Sequence, residues 1–399
     1  DVCSSDLPRA AARGLGAPLM AGDALRSFIA AWRAMLGDVG ALMLLFVGGL
    51  VYSFFYPLPY AHETVQQVPV MVVDQDRSAL SRQITRYVQA HPAVALVGVT
   101  PELSEAQDRL WRQDIAGVLV LPRGLNAKVL AGLPAEVEVA GNGIYLMLNK
   151  AALGGLAEAV GTVSAGIELK RLAASTPSPA QAQAQRSPLN LSTVPLFNVR
   201  EGYGAYLVPG VAVLIIQQTL LMAVALLLGS WIEDEHRPLP ATLGGYLGAL
   251  AAFATVPLIN SAYYFGFVLW WQGYPRGGNA WGLAVFALAF SWCVAALAVW
   301  IGSWFRTRER SAQLLLGTAM PLMFVAGLSW PAEGLPPLLQ ALRWLVPSTA
   351  GIQGFVALNQ LGASLQQVRT ELLVLLGLAL GFSALGAWRW VHHWGRDGR

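Results

Sequence analysis

Side chains able to do chemistry are sparse in this chain, and most of them are amides and carboxylates. The lysines, Lys128, Lys150 and Lys170, fall in no glycine-rich loop of the Gly-x-x-x-x-Gly-Lys-Ser/Thr kind, so no nucleotide phosphate is cradled. The five histidines, His62, His91, His236, His392 and His393, are scattered, and the adjacent pair would leave a helix in different directions. That argues against a metal site. No Gly-x-Ser-x-Gly turn offers a nucleophile. Asp74 and Asp76 are spaced as a carboxylate pair, but between a strand-like run and a helical one they read as turn and cap residues. Three amides, Gln217, Gln218 and Asn260, sit inside long apolar runs. Amides at membrane depth either line a polar path or bond neighbouring helices, and both readings stay open. The last group is a charged run, Glu233-Asp234-Glu235-His236-Arg237, which ends an uncharged stretch abruptly.

The elements that position these groups are mostly membrane helices. The chain has 399 residues, 55% hydrophobic and 12% charged, with a mean hydropathy of +0.51. Soluble domains carry about 25% charged residues. The deficit, together with several long uncharged runs, indicates an integral membrane protein. A net charge of +3 gives no basis for a nucleic-acid partner. The two cysteines, Cys3 and Cys293, are far apart, and Cys293 lies in an apolar run, so no disulfide framework is expected. No Asp, Glu, Lys or Arg falls mid-span, where ion-coupled pumps keep a relay. The driving force is therefore expected from outside the chain.

In order, residues 1–19 have neither an apolar core nor amphipathic periodicity and are not a signal peptide; Met20 is an alternative start. Residues 22–37 predict an amphipathic surface helix, with Leu25, Phe28, Ile29, Trp32, Met35 and Leu36 on one stripe and Arg26 and Arg33 off it. Residues 39–56 are the first span, closed by aromatic residues and two prolines. Residues 60–203 form a long insert. Strand patterns at 68–73, 93–99, 115–121 and 135–140 alternate there with helical patterns at 77–90, 101–112, 122–130 and 145–172, giving an α/β domain. A Pro/Ala/Gln/Ser linker at 174–188 follows. Further spans are expected at 204–231, 242–271, 281–305, 314–330 and 372–390. The proline-broken stretch 331–367 holds short helices that dip into the outer leaflet.

The fold class is thus a polytopic α-helical membrane protein of six transmembrane helices with an inserted α/β periplasmic domain. Arg26, Arg33, Arg237, Arg306, Arg308, Arg310, Arg389, Arg396 and Arg399 place both termini in the cytoplasm by the positive-inside rule. The divisions are 1–38 cytoplasmic segment, 39–59 first span, 60–203 periplasmic domain with stalk and linker, 204–391 five-helix block and 392–399 tail.

The order of one span, a large insert and five spans resembles the bacterial ABC-2 type permeases of the exporter class. VPVMVVDQDRSALSRQITRYVQAHPAV from residue 68 is similar to that family's strand followed by Asp-x-Asp-x-Ser-x-x-Ser-Arg and a helix. IAGVLVLPRG from 115, VPG at 208–210 and FVAGLSWPAEGLPPLLQALRWLVPSTAGIQGF from 324 also resemble family patterns. The likeness covers roughly 22–390. It implies an inner-membrane permease and not an enzyme. The chain would carry no cofactor of its own, and ATP would be used by a separate ABC ATPase subunit. A second permease copy or paralogue, and an adaptor with an outer-membrane channel, are the further partners implied, besides membrane lipid. It also implies export of amphiphilic or drug-like compounds. Residues 233–237 stand where the family has its coupling segment, Glu-Arg-Glu-x-Gly-Thr, but lack the Gly-Thr. Either ATPase coupling is altered or this chain is the divergent half of a heterodimer. Gln217, Gln218 and Asn260 are the candidate translocation-path residues. The competing class is a non-transporting scaffold whose external domain binds envelope proteins.

Overall fold

The computed structural model describes residues 17–60, 65–175, 178, 196–198, 202–235 and 238–392. His62, His236, Arg237, His393, Arg396, Arg399 and nearly all of the 174–188 linker lie outside the described residues, as do residues 1–16. The chain forms two compact units, Asp1–Ala61 with Leu196–Arg399, and His62–Pro195.

The larger unit begins with α1, Ala17–Gly37. Its expected apolar stripe is divided between the protein interior and the surface. Ser27, Ala31 and Met35 are buried, whereas Leu25, Ile29 and Leu36 are exposed. The reason is small-residue packing. Gly248 of a later helix lies so close to the Ala24 carbonyl that a Cβ there would clash with it, and Thr242 Oγ1 donates to Asp23 Oδ2 at 3.3 Å. The second helix, α2, spans Val39–Tyr60. Asp38 caps it, accepting from the Ala41 amide at 2.8 Å. Its stretch Met43–Gly48 is a π-helix.

The smaller unit alternates β1 Val68–Asp74, α3 Ala79–Ala90, β2 Val94–Thr100, α4 Leu103–Trp111, β3 Gly117–Leu121, α5 Leu125–Leu130, β4 Glu138–Gly141 and α6 Leu146–Ser175. The sheet order is β2-β1-β3-β4, parallel except for the β3–β4 pair. Strand β1 is central and reads as an unbroken apolar run because both its faces are covered. On one face Val70, Val72 and Leu119 meet Leu80, Ile84 and Val88 of α3 and Leu156 of α6; on the other, Met71, Val73 and Val118 meet Ala106 of α4. The Asp-x-Asp-x-Ser segment closes this unit. Asp74 accepts from the amides of Asp76 and Arg77 and from Ser81 Oγ at 2.8 Å. Asp76 accepts from the amides of Gly124 and Asn126, capping α5. Turn and cap roles account for both carboxylates.

The larger unit resumes with α7 Tyr203–Glu233, α8 Leu243–Trp271, α9 Ala280–Gly302, α10 Arg308–Val325, α11 Pro337–Leu342, α12 Pro347–Asn359 and α13 Arg369–His392. Helix α7 is the hub. Nearly every side chain between Gly204 and Trp231 is buried, against α2, α8, α9, α10 and α12. Helix α12 is short and also buried, its Phe355 ring held between Phe265, Phe286 and Phe290 at centroid distances of 4.5, 5.2 and 5.3 Å.

Helices α2 and α8 run parallel and are tied at three successive turns. Helix α8 has a π-helical stretch of its own at Ala262–Val268. Asn260 Nδ2 donates to the Leu45 carbonyl at 3.1 Å and Tyr264 to the Gly49 carbonyl at 2.6 Å. Ser53 meets the Tyr263 hydroxyl at 2.8 Å and, through its carbonyl, Gln272 Nε2 at 2.7 Å.

Five helices among the described residues are long and apolar enough to cross a bilayer: Val39–Tyr60, Tyr203–Glu233, Leu243–Trp271, Ala280–Gly302 and Arg369–His392. The run expected at 314–330 differs. Its helix starts earlier and stops at Val325, where Gly327 turns the chain with φ of 85°. Arg308, Glu309 and Arg310 occupy its first turn, so its uncharged part falls short of the ~20 apolar residues of a self-evident span.

Candidate functional site

Two of the polar groupings of the larger unit lie at the Glu233 end of α7 and along its middle. At the Glu233 end, three helices meet through charge. Arg308, in the first turn of α10, donates Nη1 to Asp38 Oδ2 at 2.5 Å and Nη2 to Asp38 Oδ1 at 3.0 Å. Glu233, the last residue of α7, accepts from the Arg308 amide at 3.1 Å. One carboxylate therefore caps α10 while another clamps its arginine, and the N-terminal partial charge of the helix favours both. Burial pushes the Asp38 carboxyl upward, but the bonds from Arg308 and from the Ala41 amide, with the Arg308 charge, hold it below the ordinary range. The Asp38 bond and the charges of Asp38, Asp234 and Glu233 raise Arg308, outweighing its desolvation.

This alters the role of Glu233, which is engaged inside the chain as well as exposed. Asp234 and Glu235 follow it on the surface, Glu235 with a φ of 52° that turns the chain out of the helix. The remaining residues of the expected coupling segment, His236 and Arg237, lie outside the described residues.

The mid-helix amides bond between helices. Gln217 is fully buried, and its Oε1 accepts from the Ser348 amide at 2.7 Å, satisfying an orphan donor in the first turn of α12. Gln218 Nε2 donates to Thr318 Oγ1 at 3.0 Å and to the Leu315 carbonyl at 3.3 Å, both on α10. Asn260 bonds α2 as above. Each glutamine keeps one buried atom without a partner among the described residues, Gln217 Nε2 and Gln218 Oε1. The three amides are not brought to one point.

An α7 hub buried on all sides, a charge clamp gathering three helix ends and a sheet unit between the first and second spans all fit a membrane transport component. The match to a family model decides the matter: residues 40–388 fit the ABC-2 family transporter protein. The chain belongs to the ABC-2 transporter family. A comparison with curated proteins finds no match. ABC-2 members are multi-pass membrane components, and membership implies an ABC ATPase as partner. Sequence reasoning missed Asp38 as the partner of Arg308. The available signal was a lone carboxylate directly before the first apolar run, facing a chain whose other inner charges are mostly basic.

Proposed function

We propose that this ABC-2 permease crosses the bacterial inner membrane six times, dimerises, and exports amphiphilic compounds with energy from a separate ATPase docked at the Glu233 end. The observation that carries the topology is the course of α10. It starts at Glu233, by the Arg308 contact, and the chain just past its end accepts a hydrogen bond at the Leu328 carbonyl from Tyr206, in the first turn of α7, at 3.1 Å. Helix α10 thus runs the length of α7 in the opposite direction, and 18 residues reach about 27 Å. That supports a sixth crossing despite its charged start. It also supports grouping the start of α2 with the end of α13, near which the Arg389 guanidinium bonds the Ser303 carbonyl at 2.9 Å, at the same cytoplasmic end. The unit His62–Pro195 is then periplasmic, and an adaptor with an outer-membrane channel is a further partner. The spare polar atoms of Gln217 and Gln218 support a place for them, with Asn260, along the path.

Asp234 and Glu235 supply the docking charge, since Glu233 is used internally. Carboxylates at a rim fix register and rate as well as affinity. Replacing Asp234 and Glu235 with alanine is expected to weaken co-purification of the ATPase about tenfold while changing stability by less than about 1 kcal/mol, since exposed charges contribute little. Parent-like binding and stimulation of hydrolysis in that variant would sink the coupling role.

A further inference from the structure

A cavity of about 540 Å³ opens at the Tyr203 end of α7, within the roughly 300–1,000 Å³ of small-molecule sites. Tyr206, Leu328, Ile352 and Val356 give it apolar walls, and two of its walls are bonded together by Gln360 Nε2 donating to the Ala205 carbonyl at 2.8 Å. Arg343 also lines it, from the 3₁₀ turn Arg343–Leu345 between α11 and α12. Its guanidinium lies 5.1 Å over the Trp344 ring. Yet Arg343 Nε and Nη1 are buried and have no hydrogen-bond partner among the described residues. Glu333 lines the same cavity but is exposed, and it forms no ion pair with Arg343 among the described residues.

Cationic N–H groups withdrawn from water without acceptors are costly. A ligand anion supplies those acceptors, and the apolar walls take a tail. The nearby Glu333 carboxylate disfavours a head with more than one negative charge. We propose that this cavity binds an amphiphile with one apolar tail and a single carboxylate head, and that Arg343 anchors the head. Binding of this kind holds whether or not the bound molecule is exported.

The test uses the full chain in phosphatidylcholine nanodiscs, photolabelled with a diazirine-bearing fatty acid and with the alcohol of the same tail. The acid is expected to label peptides containing Tyr206, Leu328 or Ile352 saturably, and the alcohol not. Arg343→Gln should lower that labelling about tenfold or more, and Arg343→Lys should retain part of it. Background labelling of α13 at the exposed Leu373 and Leu380 stays constant and reports an intact fold. Val356→Phe, which narrows the cavity and leaves Arg343 in place, should also reduce the signal. Competition by dodecanoate, and weaker competition by the more highly charged dodecyl phosphate, supports the single-tailed carboxylate ligand. Competition by phosphatidylglycerol alone, equal labelling by the alcohol, or unchanged labelling of Arg343→Gln overturns it.

Discussion

Arg308 and Arg343 stand at opposite ends of α7 and are treated in opposite ways. Arg308 has a bidentate carboxylate, Asp38, and its amide has a second one, Glu233. Arg343 has an aromatic ring beneath it and two buried nitrogens with no acceptor among the described residues. An arginine whose bonds are complete holds helices in register. One whose bonds are incomplete is available to something that arrives. The same side chain is a fastener at one end of the hub and a receptor at the other.

That contrast can be broken most directly at Asp38. Asp38→Ala removes a helix cap and takes the paired carboxylate from a partly buried guanidinium, leaving the charges of Glu233 and Asp234 near it. After discounting for the solvent exposure of Arg308, the expected loss is about 2 kcal/mol, read as a lower unfolding midpoint in detergent. The Asp38 carboxyl is depressed in the fold, so this contribution is present above the unfolded carboxylate value near ~3.9 and is lost as pH falls through the lower folded value. An acid titration of the parent and the variant should converge below that window. An Asp38→Ala variant as stable as the parent would place the fastening elsewhere.

Gln217→Leu tests whether completed bonds matter equally in mid-helix. It leaves the buried Ser348 amide without its acceptor but also removes the unpartnered Gln217 Nε2, so the net cost is expected at about 1–2 kcal/mol. In the smaller unit, Asp76→Asn should cost about 1 kcal/mol locally and loosen hydrogen-exchange protection of the Gly124 and Asn126 amides about fivefold at neutral pH. Burial acts to raise Asp76, but bonds from Ser78 and from the amides of Asn126, Gly124 and Leu125 hold it low. Its contribution is therefore also lost only as pH falls below the usual carboxylate range. The smallest effect is expected for Arg343→Gln. With no ligand present it should shift stability by less than about 0.5 kcal/mol or raise it slightly, since the unpaired nitrogens depart. A large destabilisation there would make Arg343 a fastener too and remove the contrast.

Much of this was legible in the chain because it depends on local pattern. The uncharged run ending at Glu233 announced α7, and period-two and period-3.6 patterns announced the strands and helices of the smaller unit. The carboxylates at 74 and 76 announced caps. What was not legible depends on distant partners. Nothing local pairs Asp38 with Arg308 rather than with Arg306 or Arg310. Adjacent glutamines leave a helix about 100° apart, so Gln217 reaches α12 and Gln218 reaches α10, and the sequence could not say which neighbour each would meet. The extent of α10 was misjudged because its helix begins inside a charged turn that hydropathy treats as loop. The second face of α1 was hidden for a similar reason: glycine at 248 lets α1 approach closely enough to bury its small residues.

The pairing of α2 with α8 carries a mechanical consequence. On α2 its bonds sit at Leu45, Gly49 and Ser53, at successive turns along one line, with two at Ser53. Sliding one helix past the other by a single residue, about 1.5 Å, would strain the whole row together, so translation along the shared axis costs several hydrogen bonds of about 1 kcal/mol each. If the two helices move at all, that shared row of bonds is expected to carry them together, and a cysteine pair placed across it should cross-link without loss of function.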